Sequence, residues 1–139
     1  MKTEMKRWLL AASLYTVWLS TAPAEDRVPD TPTAVARKVL TGSGVKGGLI
    51  VHLGCGDGKL TGALRAGDRY LVHGLDRDPQ KVAVARRDIQ SLGLYGPVSV
   101  ESWEGSSLPY ADNLVNLVVA EKLDRCSMEE VLRVLAPLG

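Results

Sequence analysis

Residues 47–58, with the sequence GGLIVHLGCGDG, constrain the fold more than any other part of the chain. The apolar run at 49–53 predicts a buried strand. Three glycines that alternate with other residues follow it: Gly54, Gly56 and Gly58. Residues 59–64 then carry two leucines four positions apart, as on the buried face of a helix. A strand, a glycine turn and a helix predict the first unit of a nucleotide-binding α/β fold, because glycine lets the backbone approach a ligand and a helix start offers free N–H groups.

The spacing of these glycines argues against a dinucleotide site. The dinucleotide pattern G-x-G-x-x-G would need a glycine at the position of Lys59. On the glycines alone, a tight connection without a ligand remains open. The pattern within VHLGCGDGKLT resembles motif I of the class I S-adenosylmethionine-dependent methyltransferases. That resemblance implies that the loop wraps the methionine part of S-adenosylmethionine, with five candidate residues: Gly54, Cys55, Gly56, Asp57 and Gly58.

A second predicted strand, at 70–75, ends at Asp76, which lies 20 positions after Gly56. In a βαβ unit this places the carboxylate at the carboxyl end of the neighbouring strand, where it can accept both hydroxyls of a ribose. The alternative is an ordinary strand-ending aspartate that caps the next turn. We favour the ribose interpretation and include the adjacent Arg77 among the candidate cofactor-binding residues.

The rest of the pattern alternates helices and strands, which predicts an α/β fold. A helix begins at Asp30 or Thr31, and another begins at Asp78. Further strands are predicted at 98–102 and 113–120, and a last helix at 128–135 begins with the capping box of Ser127 and Glu130. Together with this alternation, the family resemblance implies a three-layer Rossmann-like sandwich with a mainly parallel sheet of order 3-2-1-4. The later strands of the seven-stranded family fold are missing from this sequence.

The segment 103–112, WEGSSLPYAD, resembles the family's adenine-binding segment. The resemblance implies that Glu104 accepts from the adenine amino group, with Trp103 and Gly105 flanking the ring. A surface loop with a buried tryptophan is an equal alternative on this stretch alone. The two cysteines, Cys55 and Cys126, lack metal-ligand spacing, so we expect small, partly buried residues and no metal site.

The end of the fourth predicted strand holds one candidate catalytic residue. Glu121 follows that strand at the carboxyl edge of the sheet, where acceptor chemistry would occur, and is a weak candidate general base. Helix capping by Glu121 is at least as good an interpretation. The family usually has aspartate at the position of Asn116, so an electrostatic role there is in doubt.

The N-terminal 24 residues predict an export signal. A basic start precedes an uncharged stretch at 8–19, and Ala22-Pro23-Ala24 fits a cleavage site. An uncleaved anchor or a cytosolic extension is the alternative. We therefore expect a signal at 1–24, a flexible mature start at 25–31 and the domain at 32–139, in a protein exported to the periplasm or beyond. Without the signal, the location would be cytoplasmic.

The function implied by the resemblance is methyl transfer from S-adenosylmethionine to an unknown acceptor. The net charge of +1 does not indicate a nucleic-acid partner. The stretches 48–58 and 92–100 also resemble exported planctomycete proteins that join a methyltransferase-like domain to a pyrroloquinoline-quinone-binding-like β-propeller. The alternative is therefore a non-catalytic binding or structural module of such a protein. Its partner would be a propeller domain or a missing C-terminal region.

Overall fold

The computed structural model describes residues 31–137, so the predicted signal and most of the predicted flexible start lie outside the described residues. Within that part, no helix is long and apolar enough to cross a membrane. Helices and strands alternate along the chain as the sequence predicts. In order they are α1 (Pro32–Ser43), β1 (Gly48–Leu53), α2 (Lys59–Leu64), β2 (Tyr70–Asp76), α3 (Pro79–Ser91), β3 (Val98–Ser102), β4 (Leu117–Ala120) and α4 (Met128–Val134).

The strands form one parallel sheet in the order β3-β2-β1-β4, which confirms the predicted fold. At the centre, Leu53 of β1 is paired with Leu75 of β2 on one side and with Ala120 of β4 on the other. Since all the strands run in the same direction, their carboxyl ends meet at one edge. The loops that leave that edge can therefore build a common site.

Two apolar cores cover the two faces of the sheet, so the domain has three layers. The first core packs α1, α2 and α3 on one face, and it includes Ala36, Leu40, Leu64, Val82, Ala85 and Ile89. The second core packs α4 on the other face through Val131 and Val134. Val82, Ala85 and Ile89 are all buried and form the apolar stripe by which α3 packs on the sheet.

Local capping explains where the helices of the first face begin. The Thr31 hydroxyl accepts from the Ala34 N–H at 3.2 Å, and Pro32 occupies the first turn of α1. Asp78 caps α3 in the same way by accepting from the Gln80 N–H at 2.9 Å. Of the two caps considered for α1, Thr31 is therefore the one used.

Two predicted boundaries on the second face are wrong. The fourth strand begins at Leu117 instead of residue 113, because Asn113 has φ +59 and its N–H donates to the Arg133 carbonyl at 3.0 Å. Helix α4 ends at Val134, because Leu135 is extended and bridges to Val115. The stretch 113–115 is thus bonded to the end of α4, which prevents it from extending β4.

Candidate cofactor-binding site

A cavity of about 200 Å³ opens at the carboxyl edge of the sheet. Each strand of the sheet is followed by a segment that contributes to its wall. These contributions are Gly54 and Gly56 after β1, Asp76 and Arg77 at the end of β2, Trp103 after β3, and residues 122–124 after β4. The cavity therefore has the location at which parallel α/β sheets bind their ligands.

Gly54 and Gly56 form the floor of the cavity through their backbone. Their φ angles are +74° and +56°, and an added Cβ on either residue would meet no atom within 4 Å. Both residues line the cavity without a side chain. The Gly54 N–H donates to the Leu75 carbonyl at 2.7 Å, which fixes the loop to the end of β2. A ligand can therefore approach this backbone more closely than side chains would allow.

Asp76 holds the glycine loop and borders the cavity at the same time. Its Oδ2 accepts from the Gly56 N–H at 2.9 Å, and its Oδ1 accepts from the Asp78 N–H at 2.9 Å. The turn-capping interpretation from the sequence is thus observed. It does not compete with ligand binding, because each carboxylate oxygen has a second lone pair for a further donor.

Gly58 lies outside the cavity wall and packs against α3. A Cβ at this position would be 2.8 Å from the Ala85 Cβ and 3.0 Å from the Ala85 Cα. Gly58 also has φ +80 and precedes α2 as its N-cap. The third glycine of the motif is therefore required for helix packing, and the structure gives it no contact with the cavity.

Cys55 and Asp57 likewise direct their side chains away from the cavity. The Cys55 thiol is buried against Gly74 in the first core, and burial raises its pKa to about 12. Asp57 is exposed, accepts from the Lys59 N–H at 3.1 Å and forms an ion pair with the Lys59 ammonium. The hydrogen bond from the Lys59 N–H is the main cause of the lowered pKa of Asp57. Only the backbone of these two residues remains available to a ligand.

Trp103 and Arg77 form one wall of the cavity. The Arg77 guanidinium carbon is 5.2 Å from the centroid of the Trp103 ring. The Nη2 of Arg77 donates to the Gly105 carbonyl at 3.3 Å. Glu104 is exposed on the loop between Trp103 and Gly105 and does not line the cavity. The predicted adenine segment thus brings its tryptophan to the cavity, whereas its carboxylate lies outside the wall.

Glu121 lies outside the cofactor cavity, on the side of the sheet that faces α1. There it borders a second, more open cavity with Pro32, Val35 and Leu60. It does not cap α4, because Ser127 accepts from the Glu130 N–H at 3.1 Å and is the N-cap. The helix-capping interpretation of Glu121 is therefore wrong. The candidate base follows the carboxyl end of β4, and β4 is paired there with the end of β1, which leads into the glycine loop.

Asn116 has a structural role that needs no charge. Its Oδ1 accepts from the Leu49 N–H at 2.9 Å, at the start of β1. A Cβ at Gly48 would lie within 2.0 Å of that oxygen, so the amide occupies the space that the glycine leaves. An asparagine accepts this hydrogen bond as well as an aspartate would. The contact is therefore kept even though the family usually has aspartate at this position.

The comparison with protein families identifies the group to which this fold and site belong. The family model for a methyltransferase domain matches residues 50–139, which is more than half of the chain. The chain belongs to this methyltransferase domain family. A comparison with curated proteins finds no match.

Solved methyltransferase structures share the fold. One is a putative S-adenosylmethionine-dependent methyltransferase from Methanococcus maripaludis, with TM-score 0.67 and 20% identity over 76% of this chain and 51% of that one. A SAM-dependent methyltransferase from Aquifex aeolicus gives TM-score 0.60 and 25% identity over 73% of this chain and 58% of that one. The [4+2]-cyclase SpnF is also similar, with TM-score 0.64 and 25% identity over 76% and 41%. This methyltransferase-family chain spans between two fifths and three fifths of the length of these structures.

The methyltransferase family and the Aquifex aeolicus structure support the cofactor expected from the sequence, S-adenosylmethionine. The floor of the site fits such a group, because Gly54 and Gly56 line the cavity without a side chain and leave their backbone open to a ligand. Sequence reasoning missed the loop 122–124 and Lys81, which also border the cavity of this methyltransferase domain. The rule that ligands bind beyond the carboxyl ends of parallel strands could have located the loop after β4.

Proposed function

We propose that the chain binds S-adenosylmethionine in the cavity at the carboxyl edge of the sheet and serves as the cofactor-binding part of a methyltransferase. The proposal rests on the position of Asp76. Its carboxylate joins the glycine loop to the end of β2 and also borders the cavity. A carboxylate that is already fixed by two backbone N–H groups is oriented in advance for a ribose. Preorganisation of this kind lowers the ordering cost of binding.

The cavity divides into parts that suit the parts of the cofactor. Gly54 and Gly56 expose a backbone floor for the methionine end. Asp76 accepts from the two ribose hydroxyls, and Trp103 offers an aromatic surface to the adenine. Glu104, on the adjoining exposed loop, is the acceptor for the adenine amino group. These assignments keep the apolar ring against the tryptophan and the polar groups at the rim.

The chemistry of the reaction asks little of the protein beyond positioning. S-adenosylmethionine, when bound, supplies a methyl group that its sulfonium has already activated. The residues of the site hold that group so that an acceptor can approach in line, which is a contribution from proximity and orientation. Glu121 borders the second cavity at the end of β4, and it is the proposed base for a proton-bearing acceptor that enters through that cavity.

Calorimetric titration of the full chain with S-adenosylmethionine and with S-adenosylhomocysteine tests the proposal. We expect saturable binding with a Kd in the micromolar range, on the order of −8 kcal/mol. A folded chain that binds neither molecule at millimolar concentration would contradict the proposed function. Transfer of labelled methyl groups to a panel of small acceptors then separates an enzyme from a binding module.

The second candidate function is a non-catalytic module with the same fold. The signal-like N-terminus favours it, because S-adenosylmethionine is made in the cytosol and an exported enzyme would lack a supply. The association with a pyrroloquinoline-quinone-binding-like propeller belongs to this candidate. Binding without methyl transfer to any acceptor supports it, and the gene sequence beyond the codon for Gly139 tests the propeller association.

We further propose that the protein is exported and cleaved after Ala24. The basic start, the uncharged stretch and the Ala-x-Ala site support the proposal. Expression of the full chain in a bacterial host, followed by N-terminal sequencing of the periplasmic protein, should give a chain that begins at Glu25. A protein that stays in the cytoplasm with its first 24 residues intact contradicts export.

A further inference from the structure

We propose that Glu130 and Arg133 of α4 are positioning residues that hold the adenine end of the cavity in place. This inference rests on the proposed function and assigns a task to two residues that do not touch the cavity. It follows from a continuous set of hydrogen bonds. These bonds join α4 to the loop 103–112, which leaves the end of β3 and carries the cavity wall.

Glu130 accepts two hydrogen bonds from the middle of that loop. Its Oε1 accepts from the Leu108 N–H at 2.7 Å and from the Ser107 hydroxyl at 2.9 Å. The capping box predicted for α4 is therefore only half formed. Ser127 caps the helix, whereas the carboxylate that should return to the cap reaches across to the loop. Glu130 thus connects two segments that are more than 20 residues apart.

Arg133 completes the attachment from the next turn of α4. Its Nη2 donates to the Leu108 carbonyl at 3.1 Å, and its Nη1 donates to the Tyr110 carbonyl at 3.0 Å and to the Asp112 carboxylate. It also donates to both oxygens of Glu130, from Nε at 2.9 Å and from Nη2 at 2.6 Å. A planar guanidinium bonded in this way leaves the loop little rotational freedom.

The attached part of the loop continues directly into the wall of the cavity. The Trp103 Nε1 donates to the Ser107 carbonyl at 2.9 Å, which closes the turn that carries Glu104 and Gly105. The Trp103 N–H donates to the Asp76 carbonyl at 2.9 Å. One end of the turn is therefore fixed to β2. The other end, at Ser107, is fixed by Glu130.

Glu130 and Arg133 both keep their charges at neutral pH, so the bonds between them and to the loop persist there. The bonds from Arg133, followed by those from Leu108 and Ser107, hold the pKa of Glu130 at about 2. The carboxylate is therefore ionised wherever the protein is folded near neutrality. Both side chains are partly buried, with 15% of Glu130 and 32% of Arg133 exposed, and their bonds end on the loop, so we expect the main effect of the pair on the geometry of the loop.

Discrimination between two ligands provides a test that general destabilisation would not mimic. S-inosylhomocysteine differs from S-adenosylhomocysteine by an oxygen in place of the adenine amino group. We expect the full chain to bind the adenosyl ligand at least about 10-fold more tightly, because its amino group donates to Glu104, whereas the oxygen of the inosyl ligand offers that carboxylate no hydrogen. Replacing Glu130 with glutamine should reduce this ratio towards one, because an amide has one acceptor oxygen and cannot accept from the loop and from the Arg133 Nε at the same time.

Glu129→Gln is the matched control, because it removes the same charge from the neighbouring exposed position in the same turn of α4. It should leave the ratio unchanged. Arg133→Lys is the second variant. It keeps the charge and removes the planar fork, so it should reduce the ratio even if Glu130→Gln does not fold.

The outcomes separate the two proposals. If the unaltered chain binds neither ligand, the proposed function fails, and the positioning role fails with it. If the unaltered chain discriminates and the folded Glu130 and Arg133 variants keep the full ratio, only the positioning role is overturned. An unaltered chain that binds both ligands equally contradicts the adenine assignment and the positioning role together.

Discussion

Replacing Asp76 with alanine is expected to raise the Kd for S-adenosylmethionine at least about 100-fold. Two ribose hydroxyls would lose a charged acceptor, and a hydrogen bond to a charged group contributes about 1.5–3 kcal/mol. The Gly56 N–H would also lose its partner at 2.9 Å, so the glycine loop would no longer be fixed to β2. Calorimetric titration of the full chain measures the effect directly.

Asp57→Ala is the control for the Asp76 variant. It removes a carboxylate from the same loop, but that carboxylate is exposed and paired with Lys59. We expect the Kd to change less than about 3-fold, because exposed ion pairs are worth about 0–1 kcal/mol and this pair does not face the cavity. Equal losses of affinity in both variants would contradict the assignment of the ribose site to Asp76.

The fold could be predicted from the sequence because its signals are local. Apolar runs define β1 and β2, and Asp78 with Pro79 marks the start of α3. The parallel order 3-2-1-4 came from the family resemblance, and the structure confirms it. The boundaries at 113–116 could not be predicted, because the hydrogen bonds that decide them join Asn113 to Arg133, far along the chain.

The site was predictable in position but only partly in detail. A motif identifies Gly54, Gly56 and Gly58 as one set, yet the sequence does not show in which direction each residue faces. The structure separates them, since Gly54 and Gly56 line the cavity and Gly58 contacts Ala85 of α3. The contact depends on the crossing of α2 and α3, which no local pattern encodes.

The attachment of the loop 103–112 to α4 could not be predicted for the same reason. In sequence, Glu130 forms a plausible capping box with Ser127, and that pattern is satisfied by local bonds alone. In the structure, the Glu130 carboxylate instead accepts from the two donors of the loop, the Ser107 hydroxyl and the Leu108 N–H. A tertiary contact has displaced a local one, which only the assembled fold reveals.

Gly58→Ala is expected to lower the free energy of unfolding by about 2–5 kcal/mol. A φ of +80 is unfavourable for alanine by about 1–2 kcal/mol. The new Cβ would also lie 2.8 Å from the Ala85 Cβ, and overpacking of this kind costs about 1–3 kcal/mol. Urea denaturation of the full chain, followed by circular dichroism, measures the change.

Gly54→Ala is the matched variant that separates packing from binding. Its φ of +74 imposes the same conformational cost, but the new Cβ would meet no atom within 4 Å and would enter the cavity. We therefore expect a loss of about 1–2 kcal/mol in unfolding free energy together with weaker binding of S-adenosylmethionine. If Gly54→Ala instead destabilised the chain as much as Gly58→Ala and the residual fold bound the cofactor normally, the division of the motif would be wrong. The expected result means that one glycine motif serves two physical purposes: Gly54 and Gly56 leave room for the ligand, and Gly58 leaves room for a helix.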